Sequence, residues 1–258
     1  MIPIDMSGKT GVVLGVANHR SLAWAIAQQL HEAGVRLAFT YAGERLREKV
    51  QSLADTMEGS LVIECDVTKD EAIAAAFARI RERLGVLSCL VHSVAFATRE
   101  DLEGDFVSTS REGFHLAMDI SAYSFVRVAR EALPLMEAEG GSMVTLTYMA
   151  SQRVVPSYNV MGSAKAALEH EVRQLAYELG PKRIRVNAIS AGPVSTLSAR
   201  GISGFMDMLH VAREKAPLRR NIEPVEVGKA ALFLLSDLSS GVTGEVLHVD
   251  AGYNILGY

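Results

Sequence analysis

Tyr158 and Lys165, separated by six residues, are the pair in this chain whose types and spacing could do chemistry. If the segment is helical, seven positions make two turns, so both side chains project to one face roughly 10 Å apart along the axis. A phenol on that face can hydrogen-bond an oxygen that becomes negative during reaction. An ammonium beside it can bind sugar hydroxyls and lower the phenol's proton affinity. The same spacing suits a tyrosine packed in an amphipathic core and a lysine dissolved at the surface, so the pair alone defines no site.

A second candidate is the turn Gly15-Val-Ala-Asn-His-Arg-Ser21, which leads from a β-branched run onto the helical pattern Leu22-Ala-Trp-Ala-Ile with Ser21 at the cap. Unpaired N–H groups and the positive helix end attract phosphate oxygens, while Gly15 lets the backbone come close. The full G-x-G-x-x-G pattern is absent, and a plain strand-to-helix turn fits as well. Asp66, in Cys65-Asp66-Val67, could bond an adenine amine or could cap a turn before Thr68. The small residues of Ser93-Val94-Ala95 could leave room for a ribose.

The elements that must position these groups alternate. Strand candidates are Gly11–Val16, Arg36–Tyr41, Leu61–Cys65, Leu87–His92, Ser142–Thr147, Ile184–Ile189 and Glu245–Val249. Helical spacing recurs between them: Leu22, Ala25, Ile26, Gln29 and Leu30 in one segment, Ile73, Phe77, Ile80 and Leu84 in another. Parallel strands need crossover helices, so the pattern predicts an α/β fold: one doubly wound Rossmann domain over 1–258, with a seven-stranded, mostly parallel sheet and helices on both faces. No linker, low-complexity run or fixed-period repeat divides the chain.

Composition narrows the function classes. The 258 residues carry a formal net charge of −4 without a basic tail, which argues against nucleic acid as the main partner. The longest stretch free of Asp, Glu, Lys and Arg, Leu84–Thr98, is 15 residues, whereas a membrane-spanning helix needs about 20. Nothing near Val12–Ala17 resembles a signal peptide, and Cys65 and Cys89 are too few for a disulfide framework. The expectation is a cytoplasmic protein with reduced core thiols. The seven histidines and two cysteines show no metal-ligand spacing, so no metal site is expected.

Taken together, the Gly15-x5-Ser21 turn, Phe39-Thr40-Tyr41, Cys65-Asp66-Val67, His92-Ser93, Asp119-Ile-Ser-x-Tyr-Ser-Phe125, Tyr158-x6-Lys165, Arg185-Val-Asn-Ala-Ile-Ser-Ala-Gly-Pro193 and Gly244-Glu-Val-x-His-Val-Asp250 closely resemble the bacterial NADH-dependent enoyl-acyl-carrier-protein reductases. The resemblance covers nearly the whole chain. Those enzymes belong to the short-chain dehydrogenase/reductase superfamily, most of whose members place three residues between tyrosine and lysine. The gap of six, with Tyr148 upstream, is the specific signal.

The resemblance implies reduction of the 2,3 double bond of a trans-2-enoyl thioester on acyl carrier protein, the last step of each cycle of fatty-acid synthesis. It gives Tyr158 a hydrogen bond to the thioester oxyanion, Lys165 the nicotinamide ribose, and Tyr148 a place in the acyl pocket. It implies cofactor contacts from Gly15, Ala17, Ser21, Leu22, Asp66, Val67, Ser93, Val94, Lys165, Val194 and Thr196. It also implies a homotetramer built partly on Ser121–Leu135 and Tyr158–Leu179. A substrate-covering lid is expected at about 195–215. Carrier-protein docking is expected nearby, where Arg200, Arg213, Lys215, Arg219 and Arg220 outnumber Asp207 and Glu214. Two other functions use the same elements: a 3-oxoacyl or carbonyl reductase of the superfamily, and a non-catalytic NADH-sensing regulator.

Relatives that use NADPH tend to carry a basic pair after the second strand, where this chain has Tyr41-Ala42-Gly43-Glu44-Arg45. NADH is therefore expected to give the higher kcat/KM in steady-state assays, and a higher value for NADPH would contradict the reading.

Overall fold

The computed structural model describes residues 4–196 and 204–257. Seven strands, β1 (Thr10–Leu14), β2 (Arg36–Tyr41), β3 (Leu61–Glu64), β4 (Cys89–His92), β5 (Gly141–Thr147), β6 (Ile184–Ala191) and β7 (Val246–Val249), form one sheet in the order β3-β2-β1-β4-β5-β6-β7. Every neighbouring pair is parallel. The helices are α1 (Leu22–Glu32), α2 (Glu44–Ala54), α3 (Asp70–Leu84), α4 (Arg99–Leu102), α5 (Arg111–Met118), α6 (Ser124–Met136), α7 (Val160–Leu179), α8 (Phe205–Lys215) and α9 (Pro224–Leu235). The expected doubly wound α/β sheet is present, with strand ends displaced by one or two residues.

Strand alternation divides the core into two layers. Val13, Phe39, Val91 and Ile189 face a cluster containing Trp24, Ile26 and Leu30 of α1, Val50 of α2 and Leu234 of α9. Their neighbours Val12, Leu14, Leu90 and Val186 face Phe77 and Ile80 of α3, Phe125 and Val128 of α6, and Leu168 and Val172 of α7. Because side chains alternate faces along a strand, a sheet covered on both sides needs near-continuous apolar runs. These are the runs visible at 11–14, 37–39 and 87–91.

Pro134 lies inside α6, in its last turn, where the broken i→i−4 bond cannot propagate far. Between α5 and α6 the chain forms a π-helical turn at Asp119–Tyr123. Ser121 in that turn accepts a hydrogen bond from the Phe96 N–H (2.9 Å) and donates one to the Phe96 carbonyl (3.0 Å), which fixes the loop after β4.

Gly15 has a more specific reason than approach to a ligand. Its φ is +97°, and a Cβ there would lie 1.9 Å from the Ser93 carbonyl oxygen. The β1 turn and the β4 exit can cross only if this residue lacks a side chain. Gly15→Ala should lower the stability of the cofactor-free protein by about 2–4 kcal/mol, combining backbone strain and overpacking. Urea unfolding checks this, and an unchanged midpoint would contradict it.

Candidate active site

Sequence neighbours of β1 run outward in both directions, so the strand order reverses between β1 and β4. Open α/β sheets bind ligands at such a point, beyond the carboxyl ends of the strands. The expected cofactor residues gather there: Gly15, Ala17 and Ser21 after β1, Asp66 and Val67 after β3, Ser93 and Val94 after β4, Val194 and Thr196 after β6. Beside them opens a cavity of about 540 Å³, whose wall includes Leu22, Tyr148, Tyr158, Lys165, Val194 and Thr196. The remaining expected cofactor residues are outside that wall, along the strand ends.

The turn after β1 is built differently from the expected cap. Ser21 holds the N-cap position without capping; its hydroxyl oxygen accepts from the N–H groups of Ala17 and Asn18, both at 3.1 Å. The loop is thereby closed on itself; the Trp24 and Ala25 N–H groups both donate to the Ser21 carbonyl, which leaves those of Leu22 and Ala23 at the start of α1 for an anion. Asp66 takes the turn-forming role: its Oδ1 accepts from the N–H (3.1 Å) and hydroxyl (2.7 Å) of Thr68. Those bonds, outweighing partial burial, lower its pKa, and Lys69 lies 3.4 Å from Oδ2.

Tyr158 is not on the helix that carries Lys165. α7 begins at Val160, and Tyr158 occupies the preceding turn, its N–H donating to the Val155 carbonyl. Ser157 and Asn159 on either side have φ values of +61° and +34°, a reversal that no helix accommodates. The two-turn geometry expected from the spacing is therefore absent, yet both side chains line the same cavity. Tyr158 also packs on Tyr148, with ring centroids 5.0 Å apart and planes inclined by 52°.

Burial dominates the electrostatics. Lys165 is 5% exposed and donates from Nζ to the Leu146 carbonyl at 2.8 Å. Desolvation pushes its pKa down to about 8, partly offset by the charge of Glu169. The expected lowering of the Tyr158 pKa does not occur: burial, with Tyr148 adding, pushes it up. Tyr148 is pushed up to about 12, by burial and then by Tyr253 and Asp250. Both phenols are thus hydrogen-bond donors at neutral pH, and neither is a base. Tyr148 directs its hydroxyl to the Met208 sulfur at 3.1 Å.

Several supporting groups escape a reading by motif. His92, wholly buried, has Nδ1 3.1 Å from the Thr145 hydroxyl and Nε2 2.9 Å from that of Ser124. Desolvation, then the charge of Lys165, pushes its pKa down to about 3, so it is neutral. Met161, Phe96 and Met208 complete apolar cavity wall, and nothing in their spacing distinguishes them from ordinary core. Residues 197–203 of the expected lid lie outside the described residues; α8 contributes Phe205 and Met208 to the wall. Among the described residues no group of His, Cys, Asp and Glu could hold a metal ion.

A glycine turn onto a helix N-terminus at the switch point, and a buried lysine and tyrosine facing a cavity beside it, define a dinucleotide-dependent oxidoreductase of the short-chain dehydrogenase/reductase type. The family described as enoyl-(acyl carrier protein) reductase matches residues 15–254. An enoyl-acyl-carrier-protein reductase (NADH) of Bacillus cereus is 57% identical, the match covering 98% of this chain and 99% of that protein. One of Staphylococcus aureus named for NADPH is 49% identical, with 98% and 99% covered. The crystal structure of the Bacillus cereus reductase with NADP+ and indole naphthyridinone superposes with a TM-score of 0.96, at 57% identity over 98% of this chain and 99% of that one. The chain belongs to the enoyl-acyl-carrier-protein reductase family.

The buried ammonium has a thermodynamic consequence. Between pH 8 and the ordinary lysine value of 10.5 the unfolded chain binds the Lys165 proton and the folded protein releases it, so this group makes stability rise with pH across that window. Below it, the charged form is held in the fold at a cost. Lys165→Met removes this pH dependence, so its melting temperature relative to wild type should fall as pH rises from 8 toward 10. Calorimetry without cofactor checks this; a difference that does not change with pH would contradict it.

Proposed function

We propose that this protein reduces the trans-2 double bond of enoyl thioesters on acyl carrier protein, with NADH, in fatty-acid biosynthesis. The observation that carries the reading is the meeting of a protonated Tyr158 and a buried Lys165 in a largely apolar cavity at the switch point. Full-length membership of the family supplies the substrate class. A cofactor fits the residues present: the first turn of α1 offers N–H donors for a pyrophosphate, and the Lys165 ammonium has three donors of which one meets Leu146. Asp66, Val67, Ser93 and Val94 would take the adenosine half, and Val194 and Thr196 the nicotinamide end.

When bound, the nicotinamide would supply the hydride that adds to C3 of the substrate, and the charge left on the thioester is discharged when a proton adds at C2. Tyr158 donates a hydrogen bond to the thioester oxygen as that oxygen gains charge. Its raised pKa keeps the proton on the phenol, so the interaction strengthens in the transition state without being lost to ionisation. Lys165 orients ribose hydroxyls. Tyr148 and Met208 shape the acyl site and exclude water, which strengthens the Tyr158 bond.

The reading of one domain with a substrate cover at about 195–215 is supported by α8, which walls the cavity through Phe205 and Met208. The basic surface expected for the carrier protein is smaller than the sequence count: Arg220 is held bidentate by Glu226 at 2.7 Å and Arg219 bonds the Glu214 carbonyl. Arg213 is the proposed contact for an acidic partner. A homotetramer built on Ser121–Leu135 and Tyr158–Leu179 would cover Tyr123 and Tyr177, both exposed in the single chain. No helix among the described residues is long and apolar enough to cross a membrane, and cytoplasmic residence is the corresponding proposal.

Tyr158→Phe should lower kcat about 100- to 1,000-fold while leaving the NADH Kd unchanged, because the lost hydrogen bond forms only as charge develops. Lys165→Ala should instead weaken NADH binding. Stopped-flow turnover with calorimetric NADH titration separates the two; unaltered turnover in Tyr158→Phe would exclude the oxyanion role.

A further inference from the structure

The last two residues of β5 hold two successive ionisable side chains of α7. Leu146 receives the Lys165 ammonium on its carbonyl, and the Thr147 hydroxyl donates to Glu169 Oε1 at 2.8 Å. Lys165 and Glu169 are one helical turn apart and so lie on one face of α7. Glu169 is 4% exposed and Thr147 equally so. A carboxylate this deep is costly unless it is bonded and opposed by a cation. No ion pair within 4.0 Å joins it to Lys165 among the described residues, so its influence acts through space across the buried layer.

We propose that Glu169 and Thr147 form a positioning pair for Lys165: the buried carboxylate, held by the threonine hydroxyl, keeps the ammonium protonated where it meets the cofactor. The role of Lys165 toward the cofactor ribose is the reading given above, on which this rests.

The surroundings of Lys165 leave Glu169 as the negative charge that acts on it. On β4, His92 is neutral. Across the cavity, Tyr158 and Tyr148 are protonated. Asp250 and Tyr253, after β7, act on Tyr148, and Arg99 on the cavity wall is turned to Glu103 at 2.8 Å. With burial drawing Lys165 toward deprotonation near pH 8, losing Glu169 brings that point into the neutral range. Thr147 borders the same cavity, but it carries no charge and its hydroxyl is engaged on Glu169, so its effect on the ammonium passes through the carboxylate.

Lysine carrying ¹³C at Cε allows the Lys165 titration to be followed by NMR in the cofactor-free protein, the resonance being the one missing from Lys165→Met. The NADH Kd is measured across the same pH range. Glu169→Gln should lower the Lys165 midpoint by on the order of one pH unit, the scale of a nearby opposite charge. Loss of NADH affinity should move down with it. Thr147→Val should shift both in the same direction by less, and Thr147→Ser should restore them. A folded Glu169→Gln with the wild-type midpoint, or NADH binding weakened equally at every pH, would overturn the proposal. Should Glu169→Gln not fold, an unshifted midpoint in Thr147→Val would do so. A midpoint that moves while NADH affinity ignores pH in every form would uphold the pair's control of Lys165 and refute the ribose contact instead.

Discussion

A cation has to be kept inside a protein at the edge of its sheet, and much of the site follows from that constraint. Lys165 reaches the cavity from α7 only by leaving bulk water, so the fold must bond it and surround it with compatible charge. The Leu146 carbonyl provides the bond because β5 ends where α7 passes. His92 is accommodated without competing for charge because its ring nitrogens meet the hydroxyls of Thr145 and Ser124 instead of a carboxylate. The same dry surroundings hold the protons on Tyr148 and Tyr158. A site tuned in this way sacrifices some folding stability for reactivity, the usual relation between a functional constellation and the scaffold that carries it.

The scaffold's part is to bring strand ends together. Gly15 and Ser93 sit on adjacent strands, and their backbones approach so closely that only glycine fits at one of them. That crossing sets the direction of the turn into α1 and so places the helix N-terminus over the crevice. Ser21 then ties the turn to itself through Ala17 and Asn18, and Ser121 ties the β4 exit to the π-helical turn before α6. The walls of the crevice are thus fixed by hydrogen bonds within the protein, which leaves helix-end donors and the lysine for a ligand. Preformed sites of this kind spend little ordering entropy on binding.

The sheet was legible in the chain because its strands are buried on both faces, and runs such as Leu37-Ala-Phe39 and Cys89-Leu-Val91 carry that burial directly in residue type. Site positions after those strands were legible for the same reason: once the strand ends are known, Asp66, Ser93 and Val194 must lie near the crevice. Tyr158 and Lys165 line one cavity, but not through the shared helix face that their spacing predicts. Spacing cannot reveal that α7 starts at Val160, since the reversal depends on positive φ at Ser157 and Asn159, neither of which is glycine. Ser21 stands at the N-cap as its position predicts, but a hydroxyl there has two sets of N–H groups in reach and bonds those of Ala17 and Asn18. Thr147 and Glu169 are silent in sequence, because their contact joins residues 22 apart on different elements.

Both C=C and C=O reduction pass through charge at an oxygen, and a tyrosine with a lysine could serve either; full-length membership of the enoyl reductase family assigns the cavity to enoyl thioesters. Following NADH absorbance with matched crotonyl and acetoacetyl thioesters on the purified protein tests that assignment most directly. Rapid NADH consumption with the crotonyl thioester and little with the acetoacetyl one is the predicted result. Preferential consumption with the acetoacetyl thioester, or NADH binding without turnover of either, would contradict it.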